Sequence, residues 1–409
     1  LLLISFLSVS AQEKQLTILY TNDLHAHVEP QKITRISATR TLGGFANIAT
    51  VVKKEKAANP NTLYFDAGDY FTGPYISSLT NGQAVIDIMN YLSLDAACIG
   101  NHEFDFGPAG PRSVPKLGSS DDPNGALKAR AAAARYPFLS ANLMDRNTGQ
   151  PVAWPNVYPS RIVELTSPHG PLRIGVIGAL TEDTPRTTNV LNLRDVTIAP
   201  IVPAVRAEAA KLQAQGVDAV VLTIHEGANC YSFSDPHDTS SCKNSDEHIF
   251  RVIDQLQDSV DAVVAGHTHA GVAHYAGRVP IIQAFSYGIA FGRLDLTFSR
   301  RAAPPPLSPA ASAPPSAPAT IAPTWQVDRS RTRVFPPTEV CSVALPDMAT
   351  LPQPAGQVGV ALAEVAAAPS SGSGSGSSDT PQAAPTATQP PIPTMIRVPL
   401  SRCDARVLE

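Results

Sequence analysis

Five short apolar runs, each followed closely by polar side chains, constrain the fold of this chain more than any other feature. The runs occupy residues 16–20, 62–65, 96–99, 218–224 and 261–265. Runs of this length, rich in Val, Ile, Leu and Ala, are typical of buried strands. Helical patterns lie between them, at residues 43–54, 83–92, 201–215 and 246–256, and a further strand is predicted at residues 138–143. This alternation of strand and helix predicts an α/β domain whose polar clusters follow the strand ends.

The polar residues after the five runs form the candidate site. They are Asp23, His25, Asp69, Asn101, His102, Asp105, His225, His267 and His269. A loop that follows a strand is held by a rigid sheet, and α/β proteins place their chemistry there. An isolated Asp-x-His pair is usually a surface pair. The recurrence of metal-binding residue types after five strands indicates one shared site instead.

The donor types in this set suit a pair of divalent transition metals. Two carboxylates, one carboxamide and four imidazoles are compatible with Zn, Mn, Fe, Co or Ni, and they leave the identity of the metal open. A bound metal lowers the pKa of water, so a hydroxide is available at neutral pH. Two ions about 3.5–4 Å apart clamp the attacking and leaving oxygens of a phosphoryl transfer. The set therefore indicates a dinuclear metal site of a kind that suits phosphoryl transfer.

Longer strings around these residues carry a family resemblance. The strings are Thr21-Asn22-Asp23-Leu24-His25, Gly43-Gly44-Phe45-Ala46, Gly68-Asp69-Tyr70-Phe71, Asn101-His102-Glu103-Phe104-Asp105-Phe106-Gly107 and Gly266-His267-Thr268-His269. They resemble the calcineurin-like dinuclear metallophosphoesterases, and more narrowly the bacterial 5′-nucleotidase / UDP-sugar hydrolase / 2′,3′-cyclic phosphodiesterase family. The resemblance implies a sandwich of two mixed β-sheets flanked by helices, with the metallophosphoesterase domain at residues 16–300.

The resemblance also implies roles for the candidate residues. One metal is expected on Asp23, His25, Asp69 and His269, and the other on Asp69, Asn101, His225 and His267, with Asp69 bridging. His102 and Asp105 resemble the catalytic pair of the family. The imidazole stabilises phosphoryl oxygens or protonates the leaving group, and the carboxylate orients the imidazole. The alternative for His102 is a purely supporting hydrogen-bonding role, and Glu103 is expected to be structural.

The predicted function is an exported phosphohydrolase of the 5′-nucleotidase type. A metal-bound hydroxide is expected to attack the phosphorus of a small-molecule nucleotide or phosphoester. One alternative is a sulfur-compound hydrolase on the same scaffold. Another is a non-catalytic secreted protein that binds nucleotides or acts in adhesion, which the complete set of metal ligands argues against. The net charge of −4 gives no basic surplus for binding a nucleic-acid polymer.

The N-terminus and the cysteines favour an exported protein, periplasmic or secreted. Residues 1–11 resemble the end of a signal peptide, because an apolar stretch precedes a small-x-small pattern ending at Ala11. A buried first strand is the alternative, and no other apolar run is long enough to span a bilayer. Cys230 and Cys242 bracket a polar loop and are predicted to form a disulfide. Cys98 is expected to be a buried thiol, and pairing of the last two cysteines, Cys341 and Cys403, is left open.

The composition changes sharply at residue 301. Segments 302–324 and 364–393 are mostly Ala, Pro and Ser, and a Gly-Ser repeat covers 370–378. Such segments bury too little apolar surface to offset the entropy of ordering, so residues 301–409 are predicted to be a disordered linker, with one further strand allowed at 325–334. Larger members of the family carry a C-terminal domain that clamps the nucleoside. The linker is expected to lead toward such a domain, which would begin near Glu409, so base recognition is assigned to no residue of this chain.

Overall fold

The structure is a computed structural model, and it describes residues 13–33, 41–166, 170–242, 248–301 and 323–340. The strands are β1 (Glu13–Thr21), β2 (Gln31–Lys32), β3 (Thr41–Leu42), β4 (Thr62–Asp66), β5 (Ala96–Cys98), β6 (Phe138–Leu139), β7 (Leu143–Asp145), β8 (Val157–Tyr158), β9 (Ser160–Leu165), β10 (Leu172–Leu180), β11 (Val196–Ile198), β12 (Ala219–His225), β13 (Ala262–Val264), β14 (Gly271–Ala276), β15 (Val279–Ala284), β16 (Ala290–Arg300), β17 (Trp325–Val334) and β18 (Thr338–Glu339). The helices are α1 (Phe45–Ala58), α2 (Tyr75–Thr80), α3 (Gln83–Tyr91), α4 (Gly125–Ala133), α5 (Thr184–Thr187), α6 (Ile201–Ala214) and α7 (His248–Asp254). Two 3-10 turns cover His102–Phe104 and Val190–Leu193.

The first sheet is mixed and has eight strands. Its order is β17-β16-β1-β4-β5-β6-β8, and β18 pairs with β16. Strands β1, β4, β5, β6 and β8 run parallel, while β16 is antiparallel to β1 and to β17. In this register Thr21 pairs with Asp66, and Asp66 pairs with Ala97. The loops after β1, β4 and β5 therefore leave the sheet side by side.

The second sheet is also mixed and has six strands in the order β14-β15-β13-β12-β10-β9. Strands β10, β12, β13 and β15 are parallel, and β9 and β14 add antiparallel edges. Leu180 at the end of β10 pairs with His225, the last residue of β12. The carboxyl ends of β12 and β13 therefore lie at the same edge of the sheet. His225 and the loop after β13 are placed side by side there.

The two sheets pack face to face through a fully apolar layer. Ile18 and Phe65 of the first sheet join Val176, Val221 and Val264 of the second in one cluster, and each is 0% exposed. Burying one such side chain contributes about 1.5–3 kcal/mol. Residues of α1, α3 and α4 belong to a second cluster with the first sheet, and those of α6 and α7 to a third with the second sheet. This confirms the predicted sandwich of two mixed sheets flanked by helices.

One predicted strand is divided in the structure. The sequence predicts a single strand over residues 138–143, but they contribute to β6 in the first sheet and to β7 in a separate pair with β11. Asn142 at the break accepts the Leu180 N–H and donates its amide to the carbonyls of Leu180 and Ala199. These bonds pull the chain toward the end of β10. The strand allowed at 325–334 is present as β17, paired with β16.

The predicted disulfide between Cys230 and Cys242 is confirmed, with Cα atoms 3.8 Å apart. Cys98 is a buried free thiol, as expected, and burial raises its pKa. The proposed signal-peptide remnant, the remaining two cysteines and most of the Ala/Pro/Ser-rich tail lie outside the described residues. Within the described part of the chain, none of the helices combines the length and apolarity needed to cross a bilayer.

Candidate metal centre

All seven predicted metal ligands come together where the two sheets open. The first sheet supplies Asp23 and His25 after β1, Asp69 after β4 and Asn101 after β5. The second supplies His225 at the end of β12, and His267 and His269 after β13. Two groups of donors result, Asp23 with His25 and His269, and Asp69 with His225 and His267, each with its atoms within 4.8 Å of one another.

The backbone at this centre is unusual. Five of the predicted ligands have positive φ angles: Asp23 at 50°, His25 at 44°, Asp69 at 60°, His267 at 77° and His269 at 57°. A non-glycine residue in this region costs on the order of 1–3 kcal/mol, and such residues cluster at functional sites. The left-handed backbone conformation lets successive ligand side chains of a very short loop point toward the same centre.

Glycines allow the loops to approach each other closely. Gly68 has a φ of 93°, and a Cβ there would lie 2.7 Å from the backbone nitrogen of Gly100. A Cβ on Gly100 would overlap the carboxylate of Asp69. Only glycine fits at both positions, so the Asp69 and Asn101 loops lie in direct backbone contact.

The first donor group is organised around the carboxylate of Asp23, which is 0% exposed. His269 Nε2 lies 3.3 Å from Asp23 Oδ1 and 3.0 Å from His25 Nε2. The backbone N–H of His267 donates to both carboxylate oxygens, at 3.1 and 2.9 Å. Asp23 therefore links the loop after β1 to the loop after β13.

The second group is organised around Asp69. His225 Nε2 lies 2.9 Å from Asp69 Oδ2 and 3.0 Å from Asn101 Oδ1. The same oxygen, Asp69 Oδ2, is 3.8 Å from His25 Nε2 in the first group. Asp69 Oδ1 instead accepts the backbone N–H of His102 at 2.9 Å. One carboxylate oxygen of Asp69 thus faces both groups of donors.

The tautomers of two imidazoles follow from their carbonyl partners. His25 Nδ1 lies 2.8 Å from the Thr72 carbonyl, and His225 Nδ1 lies 2.8 Å from the Ala67 carbonyl. A carbonyl only accepts, so Nδ1 carries the proton in each ring and the neutral ring presents a lone pair at Nε2. The Nε2 lone pairs lie next to carboxylate and amide oxygens, which also carry lone pairs.

Electron-pair donors that lie this close together repel one another unless a positive charge lies between them. Burial alone lowers the pKa of His225, but the charge of Asp69, its hydrogen bond and the charge of Asp23 raise it to about 10. Burial would raise the pKa of Asp69, yet His225, His102 and His25 hold it well below its usual range. The side chains therefore fit a pair of divalent cations, and the mixed nitrogen and oxygen set matches Zn, Mn, Fe, Co or Ni.

His102 and Asp105 lie beside the first group. The ring centroid of His102 is 5.2 Å from that of His25, and its Nδ1 is 2.6 Å from Asp105 Oδ2. The hydrogen bond with Asp105 raises the pKa of His102 to about 9, against the effect of partial burial. Both side chains are partly exposed, at 34% and 24%. The imidazole can therefore hold a proton at the mouth of the centre.

Glu103, the carboxylate between these two residues, has no place among the donors. It is 1% exposed and accepts four backbone N–H groups, from Asp69, Tyr70, Phe71 and Gly100, at 2.6–3.2 Å. Glu103 therefore ties together the loops that carry Asp69 and Asn101. This agrees with the structural role expected from the sequence.

Three further residues, to which the sequence assigns no role, contact the centre. Asn22 donates to Asp23 Oδ2 at 2.7 Å and to the Phe285 carbonyl at 2.6 Å. Tyr287 places its ring centroid 5.7 Å from that of His25 and 5.3 Å from that of His269. The hydroxyl of Thr188 donates to Asp105 Oδ1 at 2.9 Å. Asn22 follows a strand and Tyr287 lies in a polar turn. In the sequence, that position is the only signal that marks them as candidate site residues.

His27 and His274 also lie outside both donor groups. His27 is not among the predicted ligands, and its Nδ1 lies 3.1 Å from the His25 carbonyl. His274 lies near Cys230 and Cys242, but those two sulfurs are joined to each other. A disulfide has no thiolate to offer a metal, so this third cluster is not a metal site.

The fold and the donor arrangement define the class of protein. The family described as calcineurin-like phosphoesterase matches residues 16–271, and the chain belongs to this family. The snake venom 5′-nucleotidase of Gloydius brevicauda is 31% identical over 321 residues, covering 71% of this chain and 47% of that protein. The chain thus spans about half the length of the curated relatives it matches.

Solved structures agree at the level of the fold. A calcineurin-like phosphoesterase from Bacillus subtilis aligns with a TM-score of 0.57 and 21% identity, over 80% of this chain and 91% of that one. A 5′-nucleotidase precursor from Thermus thermophilus aligns with a TM-score of 0.51 and 24% identity, over 69% of this chain and 51% of that one. These likenesses support the same two-sheet architecture.

Proposed function

We propose that this chain is an exported phosphohydrolase of the 5′-nucleotidase type, which uses two divalent ions to hydrolyse small nucleotide phosphoesters. The observation that carries the proposal is the meeting of six donor side chains in two groups, with Asn101 beside the second group and Asp69 Oδ2 facing both. The curated relatives named 5′-nucleotidase support nucleotides as the substrate class.

The proposed ligand sets share Asp69. Asp23, His25 and His269 would complete one set, and Asn101, His225 and His267 the other. Bound divalent ions would neutralise phosphate charge and activate the attacking water. The side chains of this centre keep their geometry through carbonyl contacts at Nδ1 of His25 and His225. Such partners orient a ligating imidazole and raise its basicity.

We assign His102 and Asp105 to the leaving group. The Nδ1 proton of His102 is held by Asp105, so Nε2 is the atom that faces the substrate. His102 Nε2 would donate its proton to the leaving oxygen, or hydrogen-bond a phosphoryl oxygen whose charge grows in the transition state. Asp105 fixes the ring and stabilises its protonated form.

We also propose that the protein is exported, with a metallophosphoesterase domain at residues 16–300 and a linker at 301–409 that contributes β17 and β18 to the first sheet. The disulfide between Cys230 and Cys242 supports an oxidising compartment, because such bonds are rare in reducing cytosol. Strand β17 follows the first Ala/Pro/Ser-rich segment and still pairs with β16. A test of export is expression of the complete coding sequence in a bacterial host, followed by fractionation and N-terminal sequencing of the mature protein.

The activity test uses the 409-residue chain with 5′-AMP and nitrophenyl phosphate, before and after EDTA. Hydrolysis is expected to disappear with EDTA and to return with Zn or Mn. Asp69→Ala should abolish both activity and metal binding, and His102→Ala should lower turnover with metal retained. Asp87→Ala, on the exposed face of α3, is the matched control and should change neither.

Two results would contradict the proposal. One is full hydrolysis that EDTA does not affect, and the other is a folded protein that retains no metal after loading. A sulfur-ester substrate run beside the phosphoesters separates phosphohydrolase from sulfur-compound hydrolase on the same scaffold. Binding of nucleotide without turnover of any substrate would favour the non-catalytic alternative.

A further inference from the structure

The carboxylate of Asp105 has two hydrogen-bond partners that come from different parts of the chain. Its Oδ2 meets His102 Nδ1 at 2.6 Å, one helical turn away. Its Oδ1 accepts from the hydroxyl of Thr188 at 2.9 Å, across 83 residues of sequence. With both oxygens engaged, the plane of the carboxylate is fixed, and so is the direction in which it holds the imidazole.

Thr188 is held in place from both sides. It ends the short helix α5 with an extended backbone, φ −134°, and its N–H bonds to the Thr184 carbonyl at 3.1 Å. Four residues later Asn192, which is fully buried, donates to the carbonyl of Phe104 at 2.8 Å and to that of Ser113 at 2.9 Å. The segment that carries Thr188 is therefore anchored on the same 3-10 turn that carries His102.

The ring of His102 lies beside the candidate metal centre. Among the described residues, His102 Nε2 has no hydrogen-bond partner, and its ring centroid lies 5.2 Å from that of His25. A rotation of the Asp105 carboxylate would swing this nitrogen away from a bound phosphoester. A hydroxyl that restrains the carboxylate thus restrains the one group proposed to reach the leaving oxygen.

We infer that Thr188 is a positioning residue, which acts through Asp105 to hold His102 against the leaving group of the substrate. The inference rests on the proposed function. In the hydrolysis, a bond forms between the water oxygen and phosphorus while the bond from phosphorus to the ester oxygen breaks. The ester oxygen takes the proton of His102 Nε2, and the ring regains a proton from the attacking water by way of solvent.

The chemistry of the leaving group gives this role a signature. The 5′-oxygen of a nucleoside leaves poorly unless it is protonated, whereas nitrophenolate leaves as a stable anion. Loss of Thr188 should therefore slow hydrolysis of 5′-AMP more than hydrolysis of nitrophenyl phosphate. A change that merely loosened the fold would slow both substrates alike.

The test compares Thr188→Val, Thr188→Ser and Thr187→Val in the full chain loaded with zinc. Valine keeps the size and branching that suit extended backbone, and serine keeps the hydroxyl. Thr187 is the matched control, because it is the neighbouring residue and its hydroxyl contacts only the carbonyls of Asp183 and Thr184 among the described residues. Metal content is measured on each variant.

Thr188→Val is expected to lower kcat for 5′-AMP about tenfold, the effect of one hydrogen bond to a charged group. KM and metal content should stay unchanged, and the loss with nitrophenyl phosphate should be smaller. Thr188→Ser and Thr187→Val should both stay close to the parent. The inference is overturned if Thr188→Val keeps its kcat, if serine fails to rescue it, or if both substrates slow equally.

A second measurement needs no turnover and so separates this inference from the proposed function. The proton between His102 Nδ1 and Asp105 should give a downfield NMR signal, assigned by its loss in His102→Asn. Thr188→Val should shift or broaden that signal, and Thr187→Val should leave it in place. An unshifted signal in Thr188→Val would refute the positioning role even if no phosphoester were hydrolysed by any variant.

Discussion

Replacement of Glu103 by glutamine is the sharpest test of how this centre is held together. Each carboxylate oxygen of Glu103 accepts two backbone N–H groups: Oε1 from Tyr70 and Phe71, and Oε2 from Asp69 and Gly100. Glutamine has one accepting oxygen, so either orientation of its amide leaves two of these N–H groups without an acceptor. It also turns its own N–H₂ group toward them.

The magnitude follows from those two lost bonds. Leaving a buried donor unsatisfied costs about 1–3 kcal/mol, so Glu103→Gln should lower the free energy of unfolding by about 2–6 kcal/mol. Burial and the charge of Asp69 raise the pKa of Glu103 to about 7, so removing the charge relieves some repulsion and favours the lower end. The loss is large against the roughly 5–15 kcal/mol typical of whole domains.

The assay is urea unfolding followed by tryptophan fluorescence, on protein stripped of metal so that ligand binding does not add to stability. Glu164→Gln is the control, because the Glu164 side chain is 60% exposed and its ion pair with Arg173 is long, at 3.6 Å. That change should stay within about 0.5 kcal/mol. Equal stability of the Glu103 and Glu164 variants would show that the two loops do not depend on this carboxylate.

Three other perturbations test separate parts of the structure. Cys230→Ser together with Cys242→Ser should lower the free energy of unfolding by about 3 kcal/mol, because the bridge restricts the unfolded chain over a sequence separation of 12; an unchanged urea midpoint after reduction of the parent would argue against this. Phe65→Ala, between the sheets, should lower the free energy of unfolding by about 3–5 kcal/mol in the same assay. Leu117→Ala, at a 95% exposed position, should cause no measurable loss, and similar losses for both variants would contradict the assigned core. Asn22→Ala should weaken retention of one ion of the proposed pair about 10- to 100-fold in chelator competition, and unaltered retention of both would be evidence against its role beside Asp23.

The architecture could be predicted because its signals are local and repeated. Apolar runs such as residues 218–224 are typical of buried strands, and parallel strands deliver their following loops to one edge. That rule brings Asp23, Asp69 and Asn101, which follow parallel strands of the first sheet, together without any knowledge of side-chain geometry. It also explains why the sequence does not reveal β9 (Ser160–Leu165), since its residues are half-exposed on an edge and show no apolar run.

The remaining parts of the site depend on contacts that sequence spacing does not encode. Thr188 lies 83 residues from Asp105, in a segment whose composition resembles that of an ordinary polar loop. The division of residues 138–143 depends on Asn142, whose side chain binds the end of β10. Glu103 could be set apart from the ligands by resemblance, but its four N–H partners become visible only when the loops are folded.

The left-handed backbone at five predicted ligands explains why the centre needs such partners. The left-handed conformation of each of these residues costs on the order of 1–3 kcal/mol, and it persists only where contacts with the surrounding structure hold it in place. Two carboxylates provide such contacts by accepting backbone hydrogen bonds. Glu103 accepts the N–H of Asp69, and Asp23 accepts the N–H of His267. Asp23 is therefore both a proposed ligand and a restraint on another ligand loop. It follows that substitutions of Asp23 should disturb His267 as well as the ion on its own side, whereas substitutions of His269, whose backbone braces no other ligand in the described residues, should affect one side alone.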